Sequence, residues 1–115
     1  MTHTRTLSGQ VRFTEPVAAG GTLRVRVEDV SRADAPAHLV AEARFPVDHA
    51  LAAGETLPFL LQVPAVDEQI HYAVRVHLDQ DGTGDVAQGD RISMESYPVL
   101  TGGHPDTVLV EAHLI

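Results

Sequence analysis

Asp79, Asp81, Thr83, Gly84 and Asp90 fall at positions one, three, five, six and twelve of the template on which calcium-binding loops are built. Oxygen ligands at that spacing can wrap a hard cation. The template also asks for a bidentate glutamate at its twelfth position and for flanking helices. Here that residue is Asp90, and the neighbouring segments alternate like strands. Asp-Gly is a strong hairpin signal, so the run reads as a turn and no metal is assigned. Histidine offers a second source of ligands. His71 and His77 are read on the outward face of one strand, but six residues put them about 20 Å apart. Glu111 and His113 share a face, yet no histidine stands in a recognised ligand spacing, so scattered surface histidine is expected.

Covalent chemistry fares no better. There is no cysteine, which excludes thiolate ligands, disulfides and thiol nucleophiles. Ser8, Ser31, Ser93 and Ser96 lack the strand–turn–helix setting of a nucleophile elbow. Glu28-Asp29 and Asp67-Glu68 are adjacent, and neighbours on a strand face opposite sides, so neither pair makes an acid/base dyad. Gly82-x-Gly84 precedes no helix that could cradle phosphate. The expectation is a protein that is not an enzyme and uses no cofactor.

Sixteen acidic residues stand against eight basic ones, all arginine and all dispersed. A net charge of −8 without a basic patch excludes nucleic acid and anionic membrane as default partners. No apolar run reaches the length of a membrane span or signal-peptide core, so direct membrane insertion is not expected and the sequence reads as soluble and cytoplasmic.

The elements that must position any site alternate with period two. Leu7, Gly9, Val11 and Phe13 share one parity of a first strand; Leu23, Val25 and Val27 share one parity of a second, with Thr22, Arg24, Arg26 and Glu28 opposite. His38 to Phe45 reads as a third strand, with Leu39, Ala41, Ala43 and Phe45 on one side. Asp48 to Ala53 has room for a short helical turn. Leu57 to Val63 is a fourth strand, which Pro58 assigns to a sheet edge. Ile70 to Leu78 follows, with Tyr72, Val74, Val76 and Leu78 inward. A short strand from Asp90 to Glu95, an extended Tyr97 to Thr101 and a final strand from Val108 to Ile115 complete the chain. The fold class expected is all-β: one domain over residues 1–115, an antiparallel sandwich of seven to eight strands, with a small closed barrel as the alternative.

Asp29-Val-Ser-Arg-Ala-Asp-Ala-Pro36 resembles the YbaY/YscW family of small envelope lipoproteins, some of which act as pilotins that escort a secretin ring to the outer membrane. The resemblance continues through Leu57-Pro58-Phe59 with Leu61, Tyr72-x-Val74-x-Val76 with Asp81-Gly82, and Tyr97-Pro98-Val99-Leu100-Thr101. It implies a β-sandwich, a chaperone or binding role, and a protein partner drawn from secretion or envelope components. It implies no catalytic residue and no cofactor. Members typically carry a secretion signal and a lipidated cysteine; the sequence reads as a soluble relative without either.

Two candidate contact sites follow. Asp29, Ser31, Arg32 and Asp34 form a loop whose short side chains can bond nearby backbone or make the rim of a partner site; Ser31 and Asp34 are also spaced as the cap of a single helical turn. Phe59, Leu61 and Val63 belong to an edge strand that could accept a partner strand, although inward apolar residues are core by default. Self-association through edge strands is the alternative function, and a small metal-binding or hydrolytic protein a remoter one.

Overall fold

The computed structural model describes residues 2–32 and 34–115, all of them in strands, turns or extended chain. The strands are β1 (Thr2–Phe13), β2 (Thr22–Asp29), β3 (His38–Pro46), β4 (Thr56–Asp67), β5 (Tyr72–Asp79), β6 (Arg91–Ser93), β7 (Tyr97–Val99) and β8 (Thr107–Leu114). They form one hydrogen-bonded path in the order β3-β2-β5-β6-β8-β1-β4, with β7 also paired to β5. The path curls until its two ends, β3 and β4, bring Cα atoms within 8 Å of each other. The all-β expectation therefore holds in its nearly closed barrel form. All pairings are antiparallel except β1 with β8, which is parallel. No local pattern marks that exception, because it joins the first strand to the last.

The alternation read from the sequence builds the core directly. Leu7, Val11, Phe13, Leu23, Val25, Val27, Val63, Val76 and Leu78 have no exposed surface. Each large aliphatic side chain so buried contributes about 1.5–3 kcal/mol. Three local expectations are corrected. An irregularity between Val27 and Glu28 inserts Val40 into the β3 register, so Leu39 turns outward and is 48% exposed. Asp48 to Ala53 is not helical; Leu51 instead bridges Val17 through two backbone hydrogen bonds and buries its side chain. The Ser31–Asp34 spacing starts no helix either, although Ala33 lies outside the described residues.

Curling depends on Gly9, midway along β1. It lies opposite Phe59 on β4 and Val108 on β8. A Cβ here would sit 2.7 Å from the Phe59 ring and press against the Val108 carbonyl. Glycine lets the ring lie across the β1 backbone, which fills the missing side chain's place and lets the sheet bend. Replacing Gly9 by valine is expected to lower stability by about 1–3 kcal/mol through overpacking. Urea denaturation measures it; an unchanged midpoint would show that Phe59 swings aside freely.

Candidate partner-binding site

Two regions carry the features a site needs: a buried polar cluster beneath the 80–90 loop, and an open apolar depression where β1, β4 and β8 meet β3. The polar cluster begins with His77. The period-two reading placed it on an outward, wet face, and the structure places it outward but only 5% exposed. The loop between β5 and β6 folds back over it, and Asp90 Oδ2 lies 2.7 Å from His77 Nε2. Asp79 completes a trio whose ligand atoms lie within 4.8 Å of one another.

Both oxygens of each carboxylate already face a donor or the His77 ring. Asp79 accepts the N–H groups of Gly82 at 3.0 Å and Gly84 at 2.8 Å, and the Arg24 guanidinium stands 3.4 Å away. Asp90 accepts the N–H groups of Gln80 and Ala87, both at 3.0 Å. Burial alone would raise both carboxyl pKa values. For Asp79 the N–H donors from Gly84 and Gly82 outweigh burial, and for Asp90 the His77 ring and the Gln80 and Ala87 N–H groups do so, holding both below the ordinary aspartate value. Cation binding would have to displace these donors and tolerate Arg24 beside the site. The trio serves as a clasp that ties a long hairpin loop to the barrel wall.

The depression is of the opposite character. It has a volume of about 840 Å³, is open to solvent, and is lined by Ser8, Gly9, Gln10, Phe45, Pro58, Phe59, Leu60, Thr107, Val108 and Leu109. None of these residues carries a charge, in a chain with 24 charged side chains, the sum of sixteen acidic and eight basic residues. Leu60 and Leu109 are 58% and 51% exposed. They flank polar, uncharged side chains of β1, Leu60 opposite Ser8 and Leu109 opposite Gln10. Phe59 is buried against Gly9, and Leu61 and Val63 continue the same inward row behind it.

The hydrogen-bond pattern defines what the β4 edge can offer. Phe13 donates to the Glu55 carbonyl, so from Leu57 to Val63, before the register shifts, odd-numbered residues of β4 turn their backbone groups toward β1 and even-numbered ones turn away. Pro58 therefore faces the open edge without an N–H, as its edge position requires. Leu60 and Gln62 present the donors that follow it. The β4 edge expectation holds, and the strand indeed ends the sheet.

The Asp29 loop lies elsewhere. Asp29 Oδ1 accepts the Ser31 N–H at 2.9 Å, and Ser31 Oγ accepts the His71 N–H at 2.9 Å. The first of these hydrogen bonds holds the Asp29 carboxyl below its ordinary pKa. Asp29, Ser31 and Arg32 line a polar pocket of about 230 Å³ with His38, Gln69 and Ile70, while Asp34 is exposed. His38 and Phe45 stand seven residues apart on β3, about 23 Å, so this loop and the depression occupy opposite ends of the strand. The depression as a whole escaped sequence reading. Only the glycine inside β1's apolar parity hinted at it.

The profile of a family described as type III secretion system lipoprotein chaperone (YscW) matches residues 2–111. The chain belongs to that family. Its fold is also that of a solved structure, an alternative pilotin from the type II secretion system of Vibrio cholerae, at a TM-score of 0.79 and 23% identity over 97% of each chain. No curated protein matches the sequence. Among the described residues of this YscW family member, no helix is long and apolar enough to cross a membrane.

The clasp has a pH signature. A carboxylate held below its ordinary pKa adds stability above its unfolded value, near 3.9, and that stability is lost as pH falls through the lower folded value. The melting temperature is expected to be flat from pH 7 to about 5 and to drop steeply below about 4. Asp90→Ala should cost about 3–5 kcal/mol at neutral pH and flatten that acid slope. A variant with the parent's slope would show that Asp90 is not the clasp. Because donors fill both carboxylates, millimolar calcium should leave the melting temperature unmoved, and a rise of several degrees would reverse that reading.

Proposed function

We propose that the chain is a non-enzymatic chaperone of the pilotin kind, which holds an apolar segment of a secretion-system protein against Phe45, Phe59, Leu60 and Leu109. One observation supports this above the others: an open depression of about 840 Å³ with no charged residue in its lining. An acidic chain keeps such a surface free of charge at the cost of solubility, and exposed apolar patches of this kind mark interaction sites. Family membership supplies the class of client, because a lipoprotein chaperone acts on a protein. In this reading Phe59 makes the contact, and Leu61 and Val63 support it from the core side. The Asp29, Ser31, Arg32 and Asp34 loop is a secondary rim at the far end of β3.

Self-association is the second reading, favoured by the same exposed leucines. A photo-crosslinking amino acid at Leu60, with Asp81 on the distant loop as control, separates the two inside the source cell. Capture at Leu60 of one secretin-class subunit, absent from the Asp81 control, is the expected result. Recovery of only a second copy of the chain would replace the chaperone reading with the self-associating one. Recovery of nothing at either position would remove the depression as a site.

A further inference from the structure

We infer that the barrel has a built-in opening along the line where β3 meets β4, and that β3 moves off β4 as a flap carried on β2. Four observations lead there. Among the described residues no backbone hydrogen bond, side-chain hydrogen bond or ion pair joins β3 to β4, although their Cα atoms approach within 8 Å. Among the described residues every other neighbouring pair along the main strand path is zipped by a ladder, while short β7, off that path, is laddered to β5 and only touches β8.

Both edges are also deprived of donors at the same end. Val47 donates to the Gly21 carbonyl, which sets the β3 alternation: Glu42, Arg44 and Pro46 turn their backbone groups toward the seam. Pro46 on β3 thus faces β4 as Pro58 on β4 faces β3, and neither has an N–H to give. Strands β3 and β4 run antiparallel, so these prolines and the Phe45 and Phe59 rings gather at one end of the seam, beside the depression. The ladder cannot close where the cavity lies.

The flap itself is light. No residue of β3 is fully buried, and the side chains it packs against the core besides Phe45 are Val40, Ala41 and Ala43. Its neighbour β2 buries Leu23, Val25 and Val27 completely. The polar attachments of β3 run to β2 alone: Glu42 lies 2.6 Å from Arg26 and 3.8 Å from Arg24. Moving β3 away from β4 therefore breaks no ladder and no ion pair, and the β3 side chains it uncovers are already partly exposed.

The seam also sets a condition on what can enter. A guest strand paired to both edges needs them about 9.6 Å apart, twice the strand spacing. The closed seam is narrower than that, so a strand can enter only after the flap lifts, whereas apolar side chains can rest in the depression without it. That use of the opening rests on the chaperone reading; the opening does not.

The absence of cysteine makes the test clean, since a single introduced thiol is the only one present. Val63 on β4 and Val76 on β5 are both 0% exposed and both point inward, one beside the seam and one on the opposite wall. Val63→Cys and Val76→Cys are labelled in native buffer with an aromatic disulfide reagent, and each rate is corrected for that variant's urea-determined stability. The expected result is labelling of Val63→Cys faster by tenfold or more, at a rate insensitive to low urea, as a sub-global opening requires. A smaller ratio, or a urea dependence equal to that of global unfolding, would overturn the proposal. Leu61→Cys and Val110→Cys, on β4 and β8, repeat the comparison if either valine variant fails to fold. No client is present, so the outcome is independent of the crosslinking at Leu60.

Discussion

The architecture turns on β1, which takes β4 on one side and β8 on the other. Without that strand the sheet would stop at β8, and β4 would lose the ladder that joins it to the rest. The parallel pairing of β1 with β8 ties the start of the chain to its end, a contact with the largest loop-closure cost the fold contains. Arg5 helps to hold it, reaching Asp106 and Glu68 with its guanidinium and the Leu100 carbonyl at 2.6 Å. Gly9 then lets this central strand bend under Phe59. A ring follows from one strand shared and one side chain omitted.

A ring of strands faces the problem of its last edge, and here two prolines keep it from being solved. Full closure would remove both free edges, as barrels do. Pro46 and Pro58 withhold donors at the end of the seam beside the depression, so the ring stops just short. Free edges invite aggregation, and prolines blunt them. The same substitution leaves an uncharged depression beside the seam. Protection against unwanted strand pairing and the open depression that we propose as the client site thus have a common structural origin.

The clasp of His77, Asp79 and Asp90 shows how a long acidic loop is kept in order. Buried charge is costly, and these aspartates remain ionised because backbone N–H groups, the His77 ring and Arg24 surround them. Their spacing imitates a calcium loop because both solutions place carboxylates where a tight chain segment has N–H groups or cations to bind. The donors differ, and the donors decide the chemistry.

Much of the fold is legible in the linear pattern. The apolar parities of β1, β2 and β5 and the assignment of Pro58 to an edge all follow from alternation and from proline's missing donor. So does kinship with the YscW family, through Asp29 to Pro36 and the short motifs after it. What tertiary structure alone decided lies between residues far apart in sequence. The parallel β1–β8 pair, the burial of outward-facing His77 beneath a loop, the exposure of Leu39 by an irregular register, and the meeting of Phe45, Phe59 and Leu109 in one depression have no local signature. Periodicity reports which side of a strand a residue takes. It cannot report which strand, loop or open edge stands on that side, because that is set by long-range pairing.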